Sequence, residues 1–235
     1  MKVAVVTPYY REKPDVLARC NQSVVNQTYK DVKHFMVADG FAQHYIDTWH
    51  CEHIRLPNIG DSGNSPRVVG AIAAEAQGFN AIVLLDADCW LEPNHVQQLV
   101  ESMASTGASV VTCPRNLYRP DGTFMAVDTE SDGNAFNDTN CYLLHRDVFP
   151  TFAAWLFQGK KLAYVVDRMF WNAVKTSGQR IVRSPHATVN YETTLACHYE
   201  WNGQVPPEDS RVLVNDEKGF HHISYAKFKE LAYAD

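Results

Sequence analysis

The residues best suited to chemistry are Asp86 and Asp88, in the run Leu84-Leu85-Asp86-Ala87-Asp88. A bare D-x-D pair arises by chance roughly once in an Asp-rich chain of this length, so its address carries the weight. The apolar residues 81–85 predict a buried strand, and in open α/β sheets ligands bind beyond the C-terminal strand ends. Two carboxylates crowded there repel each other unless a cation or solvent stabilises them. Their oxygens suit Mg²⁺ or Mn²⁺, and either ion can also bridge the phosphate oxygens of a nucleotide. The plainer alternative is an Asp-rich turn capping a helix that opens at Pro93.

Two further segments stand at strand ends. Asp39-Gly40 closes the apolar run 34–37, where a carboxylate can accept from a ribose hydroxyl or a base N–H, although Asp-Gly is also a common turn. The loop 58–67, Asn-Ile-Gly-Asp-Ser-Gly-Asn-Ser-Pro-Arg, carries Gly63 and feeds a helix N-terminus. Free N–H groups there favour an anion, and Arg67 adds a charge in the first turn. The loop matches neither G-x-x-x-x-G-K-[ST] nor G-x-G-x-x-G, which argues against a P-loop ATPase or a Rossmann dehydrogenase.

The elements that must hold these groups follow the rhythm of a parallel α/β sheet. Strands are predicted at 3–6, 34–37, 54–56, 81–85 and 109–113. Helices are predicted from Pro14, from Pro66 with Ser65 as N-cap, and from Pro93, whose Val96, Leu99, Val100 and Met103 share one face. Beyond residue 115 the rhythm changes. Residues 116–140 read as loops and short strands, 141–144 as a strand, and 148–157 and 163–176 as helices. The tail after Val205-Pro206-Pro207 reads as a loop and a terminal helix bearing Tyr225, Phe228 and Leu231. One domain spanning 1–235 is expected, with a nucleotide-binding half at 1–115 and an acceptor-facing half at 116–235.

With 46% hydrophobic and 20% charged residues, the 235-residue chain can bury a large core. A net charge of −6 argues against nucleic-acid binding and against a polybasic membrane anchor. No run is long enough to cross a bilayer, leaving at most peripheral association. The six scattered cysteines, without a C-x-x-C pair, read as mostly buried thiols in a reducing compartment, so a cytoplasmic location is expected.

Thr7-Pro8-Tyr9-Tyr10, the segment 23–29, Val37-Ala38-Asp39-Gly40, the 63–70 segment and 84–88, in this order and spacing, resemble the family 2 glycosyltransferases over residues 1–115. The resemblance implies an α/β fold of GT-A type, a nucleotide-binding sandwich with a mostly parallel central sheet flanked by helices. It implies a metal-dependent enzyme, most often inverting, that moves a sugar from a nucleotide-sugar, here a UDP-sugar, to a hydroxyl acceptor of unspecified identity. Carried over by position, Thr7, Pro8 and Tyr9 line the base and ribose pocket and Asp39 contacts the uracil or ribose. Gly40, Gly63 and Arg67 lie near the donor. Asp86 and Ala87 sit beside the ribose, with Asp86 on the ribose or a metal-bound water and Asp88 on the Mn²⁺ or Mg²⁺.

Inversion needs a base to deprotonate the acceptor hydroxyl. Asp167, in Val165-Val166-Asp167-Arg168, falls where such enzymes place their Glu-Asp base motif; a helix-dipole carboxylate or an ion pair with Arg168 is the alternative. The resemblance also makes His198 a candidate third metal ligand. Asp138, Thr139, Asn140 and Trp171 are expected to face the acceptor, with Trp201 and Tyr199 as further stacking surfaces. His221 and His222 are read as a surface or loop feature. Two chain-level departures are Ala38 before Asp39 and Phe41 after Gly40, where the family has an acidic residue and commonly a serine.

Rival readings are a haloacid-dehalogenase-like phosphatase with Asp86 as nucleophile, and a non-catalytic nucleotide- or sugar-binding module. The phosphatases place their pair on the first strand, and a module does not need Asp39, Asp86, Asp88 and Asp167 together.

Overall fold

A computed structural model describes residues 1–156, 158 and 160–232. The chain runs β1 (Val3–Tyr9), α1 (Pro14–Val25), β2 (Val32–Asp39), β3 (Glu52–Leu56), α2 (Asn64–Ala76), β4 (Ala81–Leu84), β5 (Trp90–Leu91) and α3 (His95–Thr106). It continues with β6 (Val110–Thr112), β7 (Arg115–Tyr118), β8 (Phe124–Val127), β9 (Tyr142–His145), α4 (Val166–Thr176), β10 (Ile181–Arg183) and β11 (Val189–Glu192). The last elements are α5 (Ala196–Trp201), β12 (Arg211–Asp216), β13 (Gly219–Ser224) and α6 (Tyr225–Ala232).

Seven strands form the central sheet in the order β10-β6-β9-β4-β1-β2-β3. All its pairs are parallel except those of β9, which runs antiparallel between β4 and β6. Side chains of β1 alternate between two cores, as a strand buried on both faces requires. Ala4 and Val6 face α2, α4 and the 3₁₀ helix Arg146–Trp155; Val3 and Val5 face α1 and α3. Helix α2 lies close on the sheet because Gly70 lacks a side chain: a Cβ there would meet Val6 Cγ1 at 2.4 Å. A smaller sheet, β5-β11-β7-β8, begins just after Asp88, and β12 and β13 form a separate hairpin.

Several boundaries differ from the sequence expectation for local reasons. Helix α2 begins at Asn64 after Gly63 at φ 78°, and Asp61 caps it by accepting from Ser65 N (2.9 Å) and Ser65 Oγ (2.5 Å), so Ser65 is inside the helix and not its N-cap. Helix α3 starts at His95, two residues after Pro93. The expected helix at 148–157 is a 3₁₀ helix, Arg146–Trp155, interrupted by Pro150, and Phe157 lies outside the described residues. The 163–176 helix divides into a 3₁₀ stretch, Lys160–Val165, and α4. The tail adds the β12–β13 hairpin, and His221 and His222 belong to β13. No described helix is long and apolar enough to cross a membrane. All six cysteines are free thiols, four buried and two half-buried.

Candidate active site

The C-terminal ends of β1, β2 and β4, the loop before α2, and residues from α4, α5 and the β12–β13 hairpin enclose one cleft of about 910 Å³. The Asp86–Asp88 turn, between β4 of one sheet and β5 of the other, forms part of its wall.

Asp86 is held from three directions. Its N–H donates to Asn140 Oδ1 at 2.5 Å, Asn140 Nδ2 donates back to Asp86 Oδ2 at 3.1 Å, and Arg67 Nη2 pairs with Asp86 Oδ1. Asp88 is placed differently. Its carbonyl accepts from Arg19 Nη2 at 2.9 Å, which fixes the backbone, while its carboxylate has only the Cys89 thiol, 3.5 Å away, as a partner among the described residues. Burial, and then the neighbouring Asp86 charge, push the Asp88 carboxyl up to about 6. A half-buried carboxylate pair with one member unpaired fits a divalent cation, whose charge removes the repulsion.

His198, the candidate third ligand, lines the cleft, and both of its ring nitrogens have protein neighbours. It is buried, its Nδ1 lies 2.5 Å from Thr193 Oγ1, and its Nε2 faces the Arg115 guanidinium at 3.4 Å. Burial and the adjacent Arg115 charge pull its pKa down to about 4, which keeps the ring neutral. Among the described residues no three His, Cys, Asp or Glu side chains converge on a metal position. The residues present therefore offer Asp86 and Asp88, with phosphate oxygens and water to complete a shell, as Mg²⁺ and Mn²⁺ sites commonly use.

On the β1–β2 side, Pro8, Tyr9, Asp39 and Gly63 line the cleft. The Asp39 carboxylate accepts from Ile59 N (2.6 Å) and Gly60 N (3.1 Å), so it shapes the loop before α2. Gly63 is required there: its φ is left-handed, and a Cβ would crowd Pro8 and Arg67 at 3.1 and 3.2 Å. Thr7 and Gly40 do not reach the cleft. Thr7 is fully buried, its hydroxyl 2.9 Å from His34 Nε2, because β1 alternation turns it inward; Gly40 turns the chain and donates to Leu56 O.

On the opposite side, Asp167 stands in the first turn of α4 and lines the cleft. One carboxylate oxygen accepts from Arg168 N at 2.8 Å, and among the described residues it has no ion pair. Arg168 turns instead to Glu130, 3.4 Å away, and lies over the Phe136 ring. Burial raises the Asp167 carboxyl to about 6. Such a group is ionised at neutral pH yet basic enough to take a proton.

Of the residues expected at the acceptor, Asp138 and Thr139 line the cleft, whereas Asn140 lies fully buried behind Asp86. Trp171 is a core residue, which corrects its acceptor assignment. It is 2% exposed, packs against Tyr142, and donates Nε1–H to Asn134 O at 2.9 Å. Sequence reasoning missed Arg115, the buried centre of this side. Its Nε donates to Asp128 Oδ2 at 2.7 Å, Nη1 pairs with Asp138, and the guanidinium lies 4.2 Å over the Tyr191 ring. Burial opposes its charge, but Asp138 and Asp128 outweigh that and hold it firmly protonated. No local signal marks it, because Asp128 and Asp138 lie 13 and 23 residues further along the chain.

The family model described as "Glycosyl transferase family 2" matches residues 4–175. No curated protein matches the chain. Among solved structures, S. aureus TarS 1-349 in complex with UDP superposes with a TM-score of 0.65 at 12% identity, over 85% of this chain and 63% of that one. TarS 1-349 in complex with UDP-GlcNAc gives 0.66 at 12%, over 82% and 59%. A further TarS crystal structure gives 0.65 at 12%, over 85% and 38%. The chain thus spans less than two thirds of the length of these structures, and at such identity the likeness shows the fold.

Proposed function

The chain belongs to glycosyl transferase family 2, and from that premise we propose that it transfers a hexose from a UDP-sugar to an acceptor hydroxyl with inversion, using Mn²⁺ or Mg²⁺ at Asp86 and Asp88. The observation that carries this reading is the placement of an unpaired, high-pKa Asp167 in the same cleft as the carboxylate pair at the β4 end.

The residues divide the work. Tyr9 and Pro8 wall the nucleoside side, and Asp39 holds the 58–60 loop against it. Arg67 and Asn140 orient Asp86, leaving Asp88 as the free carboxylate toward the diphosphate. The cation, when bound, neutralises negative charge growing on the leaving diphosphate. Asp167 accepts the proton of the acceptor hydroxyl as its oxygen attacks the anomeric carbon. The choice of a UDP-sugar is supported by the UDP and UDP-GlcNAc complexes of TarS, which share this fold.

The phosphatase reading is disfavoured because the Asp86–Asp88 pair follows the fourth strand in the chain and not the first. A binding module has no use for an unpaired basic carboxylate at Asp167. The test is a panel of UDP-, GDP- and CDP-sugars with Mn²⁺, read as nucleoside diphosphate release. UDP release from a UDP-hexose supports the proposal. Acid-labile phosphorylation at Asp86, or binding without turnover across the panel, overturns it.

A further inference from the structure

Lone exposed apolar side chains are ordinary on a protein surface, but a group of them around one opening marks a binding surface. Trp201, Tyr164, Leu213 and Phe228 are all exposed, and all line the catalytic cleft. Trp201, 51% exposed, ends α5 and rests at 5.4 Å on the His198 ring, itself anchored by Thr193. Tyr164, 45% exposed, lies three residues before Asp167 and is braced edge-on by His222 of β13 at 4.9 Å. The aromatic faces are therefore held in place, open to solvent, and in the same cleft as Asp167.

The charge around them selects the occupant further. Three arginines of the cleft are committed to carboxylates: Arg67 to Asp86, Arg115 to Asp128 and Asp138, Arg168 to Glu130. Glu12, Asp39, Asp88, Asp167 and Glu200 line the cleft without an ion pair among the described residues, and so does one arginine, Arg211, which donates to Thr194. The uncommitted charge is thus mostly negative, which repels a phosphate- or carboxylate-rich acceptor. An acyl chain would leave the interspersed carboxylates without hydrogen-bond partners. A neutral pyranose has C–H faces for the aromatic rings and hydroxyl edges for Glu200, Glu130 and Arg168.

We propose that the outer cleft is a subsite for a neutral pyranoside, with Trp201 as its main stacking face and Tyr164 as a second. It rests on the transferase reading only in naming that sugar the acceptor. The subsite places a ring hydroxyl toward Asp167 and accounts for the exposed aromatic rim, which the donor does not need.

The test is saturation-transfer NMR on the full chain with UDP and Mn²⁺ present. The probes are methyl β-glucopyranoside and diacetylchitobiose as neutral sugars, glucose 6-phosphate as an anionic match, and phosphatidylglycerol vesicles in a parallel flotation assay. Transfer to the C–H protons of a neutral sugar is expected, weakened roughly tenfold in Trp201→Ala and largely restored in Trp201→Phe. Stabilisation by UDP in the same Trp201→Ala sample shows that the variant is folded. Preference for glucose 6-phosphate or vesicles, absence of transfer to both neutral sugars, or indifference to Trp201→Ala overturns the subsite. If the wild type binds a neutral sugar through Trp201 but does not bind UDP, the donor reading fails and the subsite stands.

Discussion

Asp39, at the end of β2, and Asp86, just beyond β4, have both carboxylate oxygens engaged, whereas Asp167 and Trp201, across the cleft, hold almost no polar partner among the described residues. The first wall is built by strands β1, β2 and β4 of a sheet buried on both faces; the second by a 3₁₀–α junction, a short helix and a hairpin. A pocket that takes one invariant ligand portion benefits from preset hydrogen bonds, since little is lost in ordering it. A wall that must receive an incoming hydroxyl needs an unpaired base and an open face. The contrast separates the preset wall from the reactive one, with the Asp88 carboxylate on the preset side held only by the Cys89 thiol among the described residues.

The contrast can be broken by substitution, and the largest effect is expected at Asp88. Asp88→Ala should lower turnover by roughly 10³-fold, measured as UDP release at saturating Mn²⁺, because no described neighbour can replace its charge. Asp167→Asn should follow, with transfer down about 10²–10⁴-fold and UDP affinity unchanged. Equal losses of transfer and UDP affinity would erase the distinction between the two walls.

Asp167 also makes the contrast pH-dependent. Its carboxyl must be ionised to act, so turnover should rise with pH through about 6. Because folding raises this pKa from 3.8, the native state binds the extra proton. The stabilisation that proton brings is complete below the unfolded value and is lost as pH climbs through 6. Asp167→Asn should therefore raise Tm relative to the wild type above pH 6, with the gain fading toward pH 4. A Tm difference that does not vary with pH would contradict the assignment.

A smaller effect is expected behind the rigid wall. Asn140→Ala removes the clamp on Asp86 and should raise the donor KM about tenfold, as loss of an orienting partner does. Smallest for function is Trp171→Phe, expected to cost about 1–3 kcal/mol in denaturant unfolding without changing the KM for donor or acceptor. A selective rise in acceptor KM would return Trp171 to the site.

The rigid wall was the more legible from sequence. Continuous apolar runs ending in Asp39 and Asp86 announce buried parallel strands and their ligand edge, and those signals are local. The insertion of antiparallel β9 between β4 and β6 was not legible, because its pairing partners lie far along the chain, as in Ala81 with His145 and Val110 with Leu144, and leave no local mark. Arg115 escaped for the same reason: its worth lies in Asp128, Asp138 and His198, which only the fold brings together. Trp171 was expected at the acceptor by residue type, but it packs in the core against Tyr142. The β12–β13 hairpin was missed because its alternation is half exposed and weak, yet it contributes His222 and Leu213 to the cleft.

The most direct measurement is calorimetric titration of UDP into the wild type and into Asp88→Ala, with Mn²⁺ and with chelator. Binding that requires Mn²⁺ in the wild type and disappears in Asp88→Ala is expected. Binding of equal strength with chelator, or preserved in Asp88→Ala, would contradict a cation-held donor at the β4 strand end.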